Sequence, residues 1–387
     1  MKRAPALHTH AKVSGVGGMR ILKVLTLAEA SRDVYPRNRV LLWDADADVS
    51  FAGSCSPSAS RLGAIQVRSL RETGVIAPGD IVRLTGERSM ISVLYRRGAN
   101  ANRLFLTERC NSLCVMCSQP PRDVDDAWRV GELLETIDLI DRDEPFLTLT
   151  GGEPALLGPH LETVLRRCGE RLPDTDLQVL TNGRLFGDRE ATLGWVAAGA
   201  ARTRWAIPLY ADVASVHDEI VGAAGAFEET LAGLYELARL KARVEIRIVL
   251  HAMSVPRLRQ VASYIYRRLP FVEHVAFMGL EPMGFTKANR EQLWIDPADY
   301  AEQLSDAVHH LAVRGMSPSI YNSPLCALPE DLHAFARQSI SDWKNFTPPV
   351  CVPCTAKDSC AGFFASAGPE WRSRNIAPIL ETPHEMA

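Results

Sequence analysis

The chain has 387 residues, 47% of them apolar, with 43 Lys and Arg against 46 Asp and Glu and a formal net charge of -3. That length points to two or three domains, and the composition permits a sizeable buried core. The basic residues are scattered among acids, which leaves no footprint for nucleic acid, and no apolar run is long enough for a membrane span.

Met1-Lys2-Arg3 is basic, but no apolar signal core follows it, so a cytoplasmic protein is expected. The first hundred residues look β-rich and irregular. Val40 to Trp43, Ile81 to Leu84 and Met90 to Tyr95 read as short strands, and the turn Ala77-Pro78-Gly79-Asp80 precedes the second. Gly98 to Asn102 reads as a linker. From Arg103 strands and helices alternate. Strands are expected at 103–107, 146–150, 177–181, 204–210, 244–250 and 275–280. Helical spacing marks Trp128 to Asp141, the face Leu161, Val164, Leu165 and Cys168, the neighbourhood of Leu193, Phe227 to Leu240 and Val255 to Arg268. Six such units predict an α/β fold with a parallel sheet, open or curled into a barrel. A last helix is punctuated by Asp296, Pro297 and Gly315, and a Pro- and Cys-containing tail follows. The expected domains are a β-rich region (1–100), an α/β region (101–295) and a helix with a cysteine-rich tail (296–387).

Seven of the nine cysteines fall in two groups. In a reducing compartment spaced cysteines read as metal or cluster ligands, not as disulfides. The first group is Cys110, Cys114 and Cys117, spaced C-x3-C-x2-C directly after the first α/β strand. Three thiolates can hold three irons of a cubane cluster and leave the fourth iron open, whereas four ligands would close the site. A zinc site competes weakly, because no fourth Cys or His follows at zinc-finger spacing. After the second strand comes Gly151-Gly152-Glu153-Pro154, where glycines permit close approach of a ligand and Glu153 can accept hydrogen bonds from an ammonium. The third strand ends Thr181-Asn182-Gly183.

These residues resemble the radical S-adenosylmethionine superfamily, whose C-x3-C-x2-C motif follows the first strand of a partial (β/α)6 barrel. The resemblance implies a [4Fe-4S] cluster with an open iron that binds S-adenosylmethionine, an external electron donor, and a 5′-deoxyadenosyl radical that abstracts hydrogen from a substrate. It assigns the methionine amine to the Gly151–Pro154 stretch and places Asn182 near the cofactor. The stretch His217-Asp218-Glu219-Ile220-Val221-Gly222, then Gly225-Ala226-Phe227, resembles one in peptide-modifying members and implies a structural role in positioning the next helix. Many relatives carry Ser-x-Asp at the fourth strand end. Here Pro208-Leu209-Tyr210 stands there, and Tyr210 is the candidate replacement. On the fifth strand Arg247 is a candidate clamp for a carboxylate, with His251 further along.

The second group, Cys326, Cys351, Cys354 and Cys360, ends in C-x2-C-x5-C. Four thiolates fully ligate either a second [4Fe-4S] cluster or a zinc ion. The spacing resembles the auxiliary-cluster extension of peptide-modifying radical enzymes, with too few cysteines for two extra clusters. Cys55 and Cys168 read as bland. The run Cys110 to Arg122, with Tyr321-Asn322, Leu325-Cys326, Leu328-Pro329 and Ser339 to Lys344, resembles the His-Xaa-Ser system radical maturases. That implies a peptide substrate bearing His-Xaa-Ser repeats and a second maturase as partner. Small-molecule radical chemistry is the alternative. A non-enzymatic Fe–S or zinc module is a third reading, which the cofactor-amine motif disfavours. The N-terminal region could hold a peptide by strand addition.

Overall fold

The structure, a computed structural model, describes residues 8–14, 18–32, 35, 39–42, 49–52, 65–68, 74–85, 90–199, 201–338 and 345–380. Trp43, Cys55 and the stretch Ser339 to Lys344 lie outside the described residues.

Near the N-terminus eight strands form one sheet: β1 (His8–His10), β2 (Lys12–Ser14), β3 (Met19–Leu25), β4 (Val40–Leu42), β5 (Val49–Ala52), β6 (Ile65–Arg68), β7 (Ile81–Thr85) and β8 (Met90–Tyr95). Their order is β1-β8-β7-β3-β4-β5-β6-β2. All neighbours are antiparallel except β3 and β4, which are parallel. Only Ala11 separates β1 from β2, yet these strands stand at opposite ends of the order. One residue spans only a few ångströms, so the sheet must roll until its ends approach. Alternation then sends Leu22 and Val24, Val82 and Leu84, and Ile91 and Val93 into one core with Ala11, Leu41 and Val67. Strand addition here would meet end strands only three residues long.

A second sheet contains seven strands side by side in chain order: β9 (Asn102–Phe105), β10 (Phe146–Thr150), β11 (Asp176–Leu180), β12 (Thr203–Pro208), β13 (Arg243–Leu250), β14 (His274–Gly279) and β15 (Pro318–Tyr321). It is a parallel sheet. Helices Trp128–Leu139, Pro159–Arg171, Arg189–Gly199, Ala226–Arg239, Leu258–Arg268 and Ala301–Ala312 make the crossovers. Sequential strand order is the winding of a (β/α) barrel, not of a doubly wound sheet. Among the described residues no β9–β15 pairing closes it. The six expected strands are present, each within about two residues of its expected bounds. β15 is a seventh, missed because Pro318-Ser319-Ile320-Tyr321 is too short to show a period and is defined by its partner β14. The linker expected at 98–102 ends in the strand instead: Asn102 is buried, and its side chain accepts from Arg96 N at 2.9 Å and donates to Arg96 O at 2.9 Å.

The contacts divide the chain into two compact units, Met1–Leu106 with Asp125–Thr148 and Thr163–Asp176, and Thr107–Val124 with Leu149–Glu162 and Leu177–Ala387. In the first unit Lys23 is fully buried, its Nζ 3.1 Å from Asp141 and 5.4 and 5.1 Å from the ring centres of Tyr35 and Tyr95. Burial pushes the lysine pKa down, and Asp141 opposes that shift. The second unit carries every candidate site residue. Among the described residues no helix is long and apolar enough to cross a membrane.

Candidate functional site

The carboxyl ends of parallel strands are where a sheet of this kind leaves backbone groups unpaired and ligands enter. The loop carrying Cys110, Cys114 and Cys117 starts just after β9. It has almost no regular structure of its own, so its backbone must be satisfied from elsewhere.

Three groups of contacts do this. After β10, Gly152 N donates to Thr107 O at 2.7 Å and Glu153 N to Arg109 O at 2.8 Å. A Cβ on Gly152 would lie 2.0 Å from Arg109 O, so only glycine fits. The glycine expected to admit a ligand in fact admits the cysteine loop. The end of helix Ala214–Val221 gives the second set: Leu113 N donates to Val221 O and Val115 N to Ile220 O, both at 2.9 Å. Gly222, at φ 62°, closes that helix, and a Cβ there would lie 2.6 Å from Leu113 O. The third set follows β14. Phe285 N donates to Cys117 O at 2.9 Å, Thr286 Oγ1 to Met116 O at 2.8 Å and Asn289 Nδ2 to Val115 O at 2.8 Å. Gly284, at φ 55°, lets this segment approach, since a Cβ would sit 2.5 Å from Cys117 O. Reading the sequence missed Gly284, Thr286 and Asn289. No local pattern marks them, and their partners lie some 170 residues earlier.

Glu153 is buried. Its Oε1 accepts from Ala155 N at 2.9 Å and Thr181 Oγ1 at 2.6 Å, and its Oε2 from Asn182 N at 2.6 Å. Burial pushes its pKa up, and the three donors pull against that. Three of about four acceptor positions are therefore occupied by the protein, leaving one for an ammonium. Asn182 carries the link onward: its Nδ2 donates to Asn111 Oδ1 at 2.6 Å and lies 3.9 Å from Cys110 Sγ. Arg184, also missed, donates from Nη1 to Asn111 O and to Ser112 Oγ at 3.0 Å, and pairs through Nε with Glu229 at 2.6 Å.

The three cysteines are partly buried. Burial pushes the Cys114 thiol up to about 12, and the charges of Cys117 and Cys110 push it further in the same direction, while Arg184 opposes them. Thiols that raise one another share a small volume, and a bound cation inverts that penalty. Among the described residues no three Cys, His, Asp or Glu side chains close around a single ion. A cubane would take each of the three thiolates on a different iron.

Tyr210 follows β12 and is buried with Met116, Ile220, Val221, Ala226 and Leu293. Its backbone N donates to His217 Nδ1 at 3.3 Å, and its ring lies 5.9 Å from that of His217 and 6.3 Å from that of His251. Burial pushes its pKa up, and the nearby charges of Cys114 and Cys117 add to the rise. Asp218 caps the next helix, accepting from Gly225 N at 2.6 Å and Phe227 N at 2.8 Å, which matches the structural role expected of this stretch. Arg247 sits lower on β13 and donates from Nε to Glu245 at 2.9 Å. Glu245 also accepts from Gln178 Nε2 at 3.1 Å and lies 2.9 Å from His274 Nδ1. His251 is fully buried, and its Nε2 has no partner among the described residues.

The tail cysteines come together as well. Cys326, Cys351, Cys354 and Cys360 all line one cavity of about 350 Å3. Leu325 N and Gly362 N each donate to Cys360 Sγ at 3.4 Å, and Ile379 N donates to Cys354 Sγ at 3.4 Å. Backbone donors aimed at sulfur are contacts that would stabilise thiolate ligands. The surrounding chain is short 3-10 turns and the two-residue pair β16 (Asn345–Phe346) and β17 (Phe363–Phe364). Cys168 is fully buried in the face of its helix.

Residues 104–253 match the model of the radical SAM superfamily, so this stretch is a radical SAM domain. No curated protein matches the chain at significance. Among solved structures, anSMEcpe with bound AdoMet and the Cp18Cys peptide is similar over 73% of this chain and 92% of its own, at 12% identity and a TM-score of 0.50. A radical SAM methyltransferase from Sphaerobacter thermophilus is similar over 62% and 72%, at 15% identity and a TM-score of 0.42. Coproporphyrinogen III oxidase (HemN) from Escherichia coli is similar over 56% of this chain and about half of its own, 52%, at 13% identity and a TM-score of 0.41. At 12% identity the first of these likenesses speaks for the fold alone.

Proposed function

With a radical SAM domain over residues 104–253 as the premise, we propose that this protein cleaves S-adenosylmethionine on a [4Fe-4S] cluster held by Cys110, Cys114 and Cys117 and turns the resulting radical on a peptide. The observation that carries the reading is the three-thiol loop, clamped on its backbone at the carboxyl ends of the strands. When bound, the cluster and S-adenosylmethionine supply one-electron reduction and a 5′-deoxyadenosyl radical that abstracts hydrogen.

The chain supplies position and electrostatics. Arg184 and the backbone hydrogen bonds hold the cysteine loop, and the Arg184 charge offsets that of a Cys114 thiolate. Glu153 fixes the ends of β10 and β11 together and has one acceptor position for the methionine amine. Gly151, Pro154, Asn182 and Tyr210 form the rest of the proposed cofactor surface, with Tyr210 and its apolar neighbours keeping water from the loop. Arg247, already tied to Glu245, would meet a carboxylate with its remaining nitrogens. The cavity ringed by Cys326, Cys351, Cys354 and Cys360 is the proposed seat of a second [4Fe-4S] cluster, with zinc as the other ion such a donor set accepts. That cavity and the His217 stretch support a peptide substrate, and the resemblance to His-Xaa-Ser maturases supports a repeat-bearing target with a second maturase.

The test is anaerobic reconstitution, reduction and assay of 5′-deoxyadenosine. No product from chain with an intact cluster sinks the reading. Metal analysis should give about eight irons, and about four irons with one zinc would reassign the tail site. A mass change on a His-Xaa-Ser repeat peptide tests the substrate. Turnover of S-adenosylmethionine without one would favour a small molecule.

A further inference from the structure

Beside the four-cysteine cavity lies a second, larger and partly open one. Pro324, Gly362 and Phe363 line both. Its opposite wall includes Leu250 and Gly279, the last residues of β13 and β14, and Asn322, the first after β15, so it lies at the carboxyl end of the parallel strands. Leu280 lines it too, and also packs against the cluster of Met116 and Tyr210 at the three-cysteine loop. A ligand here would therefore stand between the two cysteine sites.

The walls define its chemistry. Trp294 and Trp371 meet edge to face with centroids 5.5 Å apart, and Tyr300 and Phe363 add further rings. Among the described residues no Asp, Glu, Lys or His lines the cavity, and Arg372 is the one charged residue that does. The Arg372 guanidinium lies 5.5 and 5.8 Å from the ring centres of Phe346 and Phe363, and no carboxylate pairs with it among the described residues. Tyr300 is only 4% exposed and lines the cavity. Apolar walls, a phenol and a guanidinium, whose charge also acts on Cys351, favour a group that is apolar with oxygen acceptors, and disfavour a cation.

We infer that this cavity is a specificity pocket for one bulky apolar or aromatic residue of a peptide, whose carbonyl or carboxylate oxygen meets Tyr300 and Arg372. The occupant's being a peptide residue rests on the function proposed above, while the pocket's preference rests on its walls alone.

The probes are N-acetyl-phenylalanine, N-acetyl-lysine and phenylacetate, added to the reconstituted chain while tryptophan emission is recorded, since Trp294 and Trp371 stand in the wall. N-acetyl-phenylalanine should give a saturable change, with N-acetyl-lysine at least about tenfold weaker. Tyr300→Phe, which removes only the hydroxyl, should weaken binding about fivefold. Ala367→Leu, which fills the cavity, should abolish the response. Equal binding of the lysine derivative, or indifference to both variants, overturns the pocket. Phenylacetate binding as tightly as N-acetyl-phenylalanine overturns the peptide class. The measurement needs neither S-adenosylmethionine nor reduction. Failure to form 5′-deoxyadenosine would thus remove the radical reading and leave the pocket, and failure to bind would do the reverse.

Discussion

The two cysteine sites are built in opposite ways. The loop of Cys110, Cys114 and Cys117 borrows its shape from the fold, through hydrogen bonds from the ends of β10 and β11, the helix end at Val221 and the segment Phe285 to Asn289. The tail cysteines sit in short turns, and the donors that reach their sulfurs come from residues adjacent to the cavity itself. An open site must be shaped before its cofactor arrives, because an exchangeable ligand cannot shape it. A closed four-thiolate site can take folding energy from its own metal.

Removing one thiol from each site would break or confirm that contrast. Cys114→Ala should reduce 5′-deoxyadenosine to background while the thermal melt stays near that of the native chain. Cys354→Ala, or a chelator, should leave the sheet intact but open residues beyond 345 to limited proteolysis. Protection unchanged by metal loss would show that the tail is preformed after all.

Gly152→Ala attacks the clamp without touching a ligand. The added Cβ would meet Arg109 O at 2.0 Å, so the loop must move by about an ångström. Activity should fall about 100-fold, with a matching loss of cluster absorbance. Full cluster occupancy in this variant would mean the loop is shaped by its iron instead.

Acid should loosen the first site's support. His217 and His251 are buried, and burial lowers both to about 4 from 6.5. The unfolded chain then binds more protons between those values, so stability is full above pH 6.5 and is lost as pH falls toward 4. Each histidine can contribute up to about 3 kcal/mol of this loss. Melts across that range should show it, and His217→Gln should flatten the slope. An unchanged slope would exclude His217 from the effect. Smallest, Asp218→Ala should cost about 1 kcal/mol by uncapping helix Ala226–Arg239, whose Thr230 donates to Asn182 O at 3.1 Å. A urea midpoint unchanged from the native chain would argue against the cap.

Much of this was legible in the residues. Helical and strand periods located six parallel strands, because those elements are long and buried on one side or both. Cysteine spacing marked two groups, and the structure gathers the tail group around one cavity. Other features have no local signal. The four residues of β15 become a strand only beside β14. The roll of the N-terminal sheet follows from pairing β1 and β2 at opposite ends of the order. Gly152 reads as room for a ligand until Arg109 is seen to fill that room, and Glu153 reads as free until Thr181 and Asn182 take its oxygens.

The sequence by itself determined which residues can ligate metal and the rhythm of the α/β region, because both are written at short range. Tertiary structure decided what holds the three-cysteine loop, how much of Glu153 is left for a ligand, and that an aromatic cavity with Arg372 lies between the two cysteine groups. Those outcomes depend on contacts between residues far apart in the chain, whose meeting no local pattern encodes.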